Sequence, residues 1–494
     1  MLTVLIFLPL LAAGVLAVLR IPDRAAKVGW LAVSVVELVL LLVIWIGYRT
    51  PPPGGMALAQ QVPWIPGVAS SYSVGVDGLS LPLIALTVVV FAACAVFAWR
   101  DRHRPRTQAA LFCFLESMCL GVFAAQDLVL FFVFFDLTIV GMYFVILGWG
   151  HGHAGRSALK FFLYTFLGSL VLLLGFIGLY VAADPHTFEM AELTRQAPLQ
   201  GSGWVGGVVL AAVVIGLAIK TPTVPFHTWL PPAHTDAPAI GSAVLAGVML
   251  KLGTYGFVRI AMPMLPEAWQ AWSGVIIAVG IVSVLYGALV ALAQTNVKRT
   301  IAYTSVNHMG YVILAVGAAG VLTGNATSRQ VAVTGAVTQM VSHGLITAAL
   351  FLLAGVLHDR RGSYELEDYG GLAKPAPRFA GFFAVAAFAS LGIPAFSGFI
   401  AEFQIFTGSI GAAAVTALAL PGILIVAALF LRALQQLLTG DVRGKSHGFA
   451  DLRTSETVAV APLLLLSLII GVLPRFLLDI IEPAARVVVD LVSR

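Results

Sequence analysis

Residues 203–259 read GWVGGVVLAAVVIGLAIKTPTVPFHTWLPPAHTDAPAIGSAVLAGVMLKLGTYGFVR. The stretch holds two apolar runs, 204–230 and 239–261. Each is long enough, at about 1.5 Å per helical residue, to cross about 30 Å of hydrocarbon. Lys220 interrupts the first run, and Pro222 and Pro225 follow at once. Prolines remove backbone N–H donors, so carbonyls one turn back, at Ala218 and Thr221, are expected to lose their partners. Inside a bilayer such a break is tolerated only where protein or a water-filled cavity covers it. The stretch therefore predicts a broken membrane helix inside a bundle, with an ammonium at the break and a second lysine, Lys251, on the next span.

The rest of the chain agrees. Of its 494 residues, 60% are hydrophobic and 10% charged. Soluble domains run at about 45–50% apolar and about 25% charged. A soluble enzyme, a disordered chain and a coiled coil are thereby excluded. The long apolar runs also exclude a membrane barrel, whose strands are about 10 residues of alternating polarity. The net charge of +5 reads as basic loops against anionic lipid, not as a nucleic-acid surface. Cys94, Cys113 and Cys119 lie in apolar stretches with no C-x-x-C spacing and read as small buried hydrophobes. With no P-loop, iron–sulfur, haem-attachment or dinucleotide motif, no cofactor is expected in this chain. The first 19 residues lack a basic leader and predict a first span.

Fourteen such runs can be counted: 1–19, 28–47, 78–99, 108–125, 128–148, 158–182, 204–230, 239–261, 272–292, 300–321, 332–356, 377–408, 411–438 and 456–477. The predicted fold is all-α and integral to the membrane. Eighteen of the 28 Lys and Arg residues fall in loops on one side and seven on the other. Positive charge marks the cytoplasmic side, so both termini are predicted outside. Alanine- and glycine-rich spans suggest a GC-rich bacterium, so the bacterial plasma membrane is the expected location. The twelfth run is also broken, by Gly392, Pro394 and Gly398. Pro222 and Pro394 lie 172 residues apart, close to the 164 that separate the starts of the fourth and ninth runs. Two five-span units, 108–261 and 272–438, are therefore expected as inverted repeats with matching breaks, as in secondary transporters. Residues 1–107 would supply three earlier spans, and 456–494 a last span and short tail.

An ionisable side chain at the bilayer centre costs about 2.5–3.5 kcal/mol. Each one here asks for a reason. Asp136, ninth in its run, is either a structural ion pair or a charge that answers proton movement. Lys220 is a proton carrier or a plug for the helix break, and Lys251 reads as a relay station. His308 and His343 each follow a polar residue one turn earlier, Thr304 and Gln339, so each sits on a polar stripe. Both suit proton exchange near neutral pH, a plain interhelical hydrogen bond, or bis-histidine haem ligation. Glu402 follows the second break and would be favoured by the positive end of the second half-helix. Glu116 is a further buried acid. Glu37 reads as a structural partner, and Asp127 as an interfacial group at a span boundary.

These residues lie in stretches that resemble the antiporter-like membrane subunits of proton-pumping NADH–quinone oxidoreductase (respiratory complex I), most closely the M-type, or chain 4-like, subunit. The matching segments are AIKTPTVPFHTWLPPAHTDAPAIGSAVLAGVMLKLGTYGFVR, VKRTIAYTSVNHMGYV, QMVSHGLITAALFLLAG, ELEDYGGLAKPAP and LGIPAFSGFIAEF, spread over about 125–410. The resemblance implies fourteen spans in two inverted repeats, and proton translocation driven by redox chemistry elsewhere. It implies L-type and N-type neighbours, with flavin and iron–sulfur clusters in partner subunits. It assigns the family's span-five acid to Asp136, its two lysines to Lys220 and Lys251, its histidines to His308 and His343, and the M-type terminal glutamate to Glu402. The short tail also suits the M-type. Two departures stand out: Asp136 replaces the usual glutamate, and Pro232 replaces an acid in the usual LPDAH. A subunit of a multi-subunit cation/proton antiporter or membrane-bound hydrogenase, a haem-binding electron carrier using His308 and His343, and a spacer that has lost pumping remain the alternatives.

Overall fold

The computed structural model describes residues 1–494, and each of the fourteen apolar runs contains helix. Helices α1 (Leu2–Val18) and α2 (Asp23–Gly47) come first. An antiparallel hairpin of β1 (Ala57–Ile65) and β2 (Ser70–Val76) follows, which the sequence reading did not anticipate. Then come α3 (Ser80–Phe97), α4 (Pro105–Ala124), α5 (Leu128–Trp149), α6 (Ala154–Ala182) and the short α7 (Met190–Gln196). The broken seventh run is α8 (Trp204–Lys220) and α9 (Leu230–Asp236). Next are α10 (Ala239–Met264), α11 (Pro266–Leu292), α12 (Val297–Ala319) and α13 (Ala326–Arg361). The broken twelfth run is α14 (Pro377–Ser390) and α15 (Ser397–Ala412). The chain ends with α16 (Pro421–Leu438), α17 (Thr454–Val472) and α18 (Arg475–Val492).

Ten helices are long and apolar enough to cross a membrane by length and composition, and α1, α8 and α14 are shorter apolar helices. Helix α12 has spanning length, but Thr304, Ser305, Asn307 and His308 make one of its faces polar; all four are buried. Several boundaries differ from the sequence reading. The first break is a nine-residue irregular stretch, 221–229. The last residues form no simple tail. They make α18, whose buried Leu477, Ile481, Ala485 and Val488 recur at helical spacing and pack the helix on α13.

Helix α13 is buried along its whole central length, and α10 nearly so. They meet at glycines. A Cβ added to Gly344 would lie 2.6 Å from the Gly247 carbonyl oxygen, so only glycine lets the two backbones come this close. Two groups of helices pack in the same order around this centre: α4 on α5, α5 on α6 and α6 on α8, then α11 on α12, α12 on α13 and α13 on α14. Buried ion pairs pin the ends. Asp77 and Arg259 join α10 to the turn before α3 at 2.5 Å, and Arg360 meets Glu456 of α17 at 2.6 Å.

Candidate proton-transfer site

The first break is closed by long-range hydrogen bonds. The Ala218 carbonyl, expected to be free, accepts from the Thr223 N–H at 3.1 Å. The Ile219 carbonyl accepts from the Trp229 indole N–H at 2.9 Å. Lys220 therefore does not rest on the broken turn. Its ammonium, 1% exposed as a residue, donates to Thr138 Oγ1 on α5 at 3.0 Å and stands 5.0 Å from the Phe135 ring centre. Asp136, two residues before Thr138 on α5, is half-buried and accepts from Ser169 Oγ at 2.7 Å. Asp136 and Lys220 come from adjoining helices but make no ion pair within 4.0 Å. The structure holds them apart, each on its own hydroxyl.

Lys251 follows a π-helical turn, Leu245–Met249. Such a turn inserts a residue and shifts the carbonyl ladder. The Lys251 ammonium donates to the Ala246 carbonyl inside that turn, and pairs with His343 Nδ1 at 2.6 Å. The glycine contact between α10 and α13 lies beside this pair, since Gly344 follows His343 in the chain. His343 and His308 meet edge to face with ring centres 5.4 Å apart. His308 Nε2 lies 3.9 Å from Glu402 Oε1. Lys251, His343, His308 and Glu402 thus follow one another from α10 through α13 and α12 to α15, with a direct hydrogen bond at the Lys251–His343 step and none at the other two. His308, His343 and Glu402 also border a cavity of about 10 Å³, roughly the space of one water.

Glu402 is the sixth residue of α15, beyond the first turn, so the helix N-terminus does less for it than the sequence suggested. Its carboxylate instead folds back over the second break. Gly392 there has φ +72°, and an added Cβ would lie 2.5 Å from Glu402 Oε2. Pro394 follows within the same non-helical stretch, 391–396. Glu116 is fully buried and stands outside the line, with neither carboxyl oxygen bonded to protein. Asp127 sits at the start of α5, at the span boundary. It is buried and caps α5, accepting from the N–H groups of Val129 and Leu130 and from Ser70 and Ser71.

Two residues went unrecognised in the sequence. Lys298, counted there among the loop charges, is fully buried, donates to the Ala237 carbonyl at 2.5 Å and lies over the Tyr364 ring. His234 is fully buried, stacks on Phe351 and has no protein partner at either ring nitrogen. Its signal was the PPAHTDAP run of the opening stretch, where only Pro232 had been considered. Near Lys298 on the loop side, His151 stacks on His358 with ring centres 4.5 Å apart. Burial, then Lys298 and His358, push His151 down to about 4. No three His, Cys, Asp or Glu side chains gather as a metal-ligand set. Rings 5.4 Å apart leave no room for a porphyrin between His308 and His343.

Two broken helices, each with an ionisable side chain beside its break, and a buried line of titratable groups define a multi-pass membrane protein of the antiporter-like class. Residues 125–428 match the family described as NADH:quinone oxidoreductase/Mrp antiporter, TM, and the chain belongs to that family. It is 37% identical over 501 residues to subunit M of NADH-quinone oxidoreductase from Rhodobacter capsulatus, covering 98% of this chain and 95% of the relative. The structure superposes on a chain of respiratory complex I from Thermus thermophilus with TM-score 0.90, at 29% identity and 100% coverage of both. A chain of the Mrp complex from Dietzia sp. DQ12-45-1b shares the fold with TM-score 0.85 at 22% identity, over 100% of this chain and 99% of that one.

Proposed function

We propose that this chain is the M-type membrane-arm subunit of an NADH–quinone oxidoreductase and moves protons while redox chemistry proceeds in other subunits. The observation that carries the reading is the line Lys251–His343–His308–Glu402, whose members stand within one hydrogen bond or one water of each other. The full-length relative favours this over a cation/proton antiporter, since the Mrp likeness is one of fold. L-type and N-type subunits are its neighbours, and the flavin and iron–sulfur clusters belong to partners. Units 108–261 and 272–438 act as the two inverted halves, flanked by 1–107 and 456–494, and both termini face outward.

In this scheme Asp136 and Lys220 alternate between the separated arrangement and a close pair. An ion pair at about 4 Å contributes about 4 kcal/mol at an effective dielectric near 20. That is roughly a thousandfold in how firmly Lys220 holds its proton. When the pair opens, the proton passes to Lys251, then through His343 and His308 to Glu402, and leaves. The shorter Asp136, in place of glutamate, finds Ser169 when it is not on Lys220. Glu116 stands apart as an additional proton-holding group.

The test is Lys220→Ala in the assembled complex, reconstituted in vesicles. NADH oxidation and the proton-to-electron ratio are read on one sample. The variant lowers the ratio. A wild-type ratio at full assembly refutes the scheme. Mass spectrometry of tagged, mildly solubilised protein should recover flavin and iron–sulfur subunits. Recovery of small antiporter subunits alone, without NADH oxidation, would move the chain to the exchangers.

A further inference from the structure

Apart from that line, α2 and α4 enclose a second polar group. The buried face of α2 runs Ala26, Trp30, Ser34, Glu37, Leu41, Ile44. Trp30, Ser34 and Glu37 fall at i, i+4 and i+7 on it, stacked one above another. None is more than 2% exposed, yet Trp30 Nε1, Ser34 Oγ and both Glu37 carboxyl oxygens have no hydrogen-bond partner. Glu116 of α4 is in the same condition at both oxygens. Helix α4 packs on α2, with the Phe112 and Trp30 ring centres 5.3 Å apart, and Glu116 lies one turn beyond Phe112, level with the Ser34–Glu37 part of that face. No cation answers either carboxyl. The other titratable groups about them are thiols: Cys94 of α3, and Cys113 and Cys119 of α4. Cys119 lies one turn beyond Glu116 on α4 and is fully buried.

Two adjacent carboxyl groups with no donor and no cation cannot both be ionised in a low-dielectric interior. A shared proton supplies the missing donor: the protonated oxygen of one donates to the other. Trp30 and Ser34 continue the polar face from Glu37 toward Asp23 and the basic loop. In the other direction Cys119 leads to Lys220. We propose that Glu37 and Glu116 form a carboxyl pair that holds one proton and reloads Lys220 from the side of the basic loops. This gives Glu37 a role the sequence did not suggest, and it rests on the reading of Lys220 as a proton carrier. The transfer balances as one proton entering the pair from the aqueous phase while one leaves it for the neutral amine, so that the pair keeps a proton throughout.

The experiment uses the assembled complex in vesicles, with Glu37→Gln, Glu116→Gln and the rescue variant Glu37→Asp beside Lys220→Ala. Infrared difference spectra, NADH-reduced minus oxidised, in H₂O and D₂O report a protonated carboxyl directly. A deuterium-sensitive carboxyl band is expected in the parent protein. It should vanish in Glu116→Gln, shift or vanish in Glu37→Gln, and return in Glu37→Asp. Proton translocation should slow about tenfold or more in both glutamine variants. An unchanged band with wild-type translocation in both overturns the pair. If Lys220→Ala also pumps at the wild-type ratio, the functional reading falls with it. If Lys220→Ala fails while both glutamine variants behave as wild type, only the carboxyl pair is refuted.

Discussion

Gly392→Ala separates the two things this glycine does. At φ +72° an L-residue pays about 1–2 kcal/mol, which sets the stability cost. The new Cβ would fall 2.5 Å from Glu402 Oε2 and 3.1 Å from Cδ. The obstructing atoms are the free end of a flexible side chain, so the fold survives and the carboxylate yields. To reach ordinary contact it must retreat by about 1 Å, and it already stands 3.9 Å from His308 Nε2. A misplacement of about 1 Å can slow transfer about a hundredfold. In vesicles containing the assembled complex, a pH-sensitive dye should show a reduced proton-to-electron ratio, with thermal stability lowered only slightly. The double variant Gly392→Ala/Glu402→Asp, one methylene shorter, should recover part of the loss. A wild-type ratio in Gly392→Ala, or a double variant worse than either single, would refute the placement of Glu402 over the break.

Thr138→Val removes the hydroxyl that receives the Lys220 ammonium and should cost about 1–3 kcal/mol, with slower pumping; thermal unfolding and the dye assay check both. Gly344→Ala should force α10 and α13 apart at a backbone oxygen 2.6 Å away, costing about 1–3 kcal/mol and loosening the Lys251–His343 pair; melting temperature and pumping should fall together. His151 is held neutral in the folded protein down to about pH 4, whereas an unfolded chain protonates it near 6.5. Stability is thus lost as pH falls from about 6.5 toward 4, because the unfolded state binds the extra proton. His151→Phe should flatten that part of the melting-temperature profile, and an unchanged slope would count against it.

The two breaks and most of the transfer line were legible because apolar sequence makes anomalies expensive. A lysine before two prolines, or a histidine on a polar stripe, has few explanations inside hydrocarbon. Legibility failed where the cause was long-range. The Ala218 carbonyl, which local reasoning left free, takes the Thr223 N–H, and Trp229 reaches back ten residues to the Ile219 carbonyl. The π-turn before Lys251 needs no special residue, so LAGVM reads as ordinary helix. Lys298 looked like a loop charge because its cover, Tyr364 and the Ala237 carbonyl, comes from about 60 residues away on either side. The hairpin 57–76 lies between two strong spans, and Pro63 within β1 argues locally against a strand.

The breaks differ in the sign of the group they hold, and that difference gives the line a direction. Lys220 is charged when it carries a proton, and Glu402 is charged when it does not. Passing one proton from the first to the second therefore neutralises two buried charges at once, removing a desolvation cost of several kcal/mol per ion. The two histidines between them take part without adding charge at rest: a neutral imidazole accepts at one nitrogen and releases at the other. Recharging must then come from outside the line, by release from Glu402 on one side and uptake at Lys220 on the other. Two lysines at the breaks would not give this cancellation. In the proposed scheme, a single glutamate over Gly392 would let the forward transfer run downhill and leave the cost to reloading, the step at which the Asp136 pair would act.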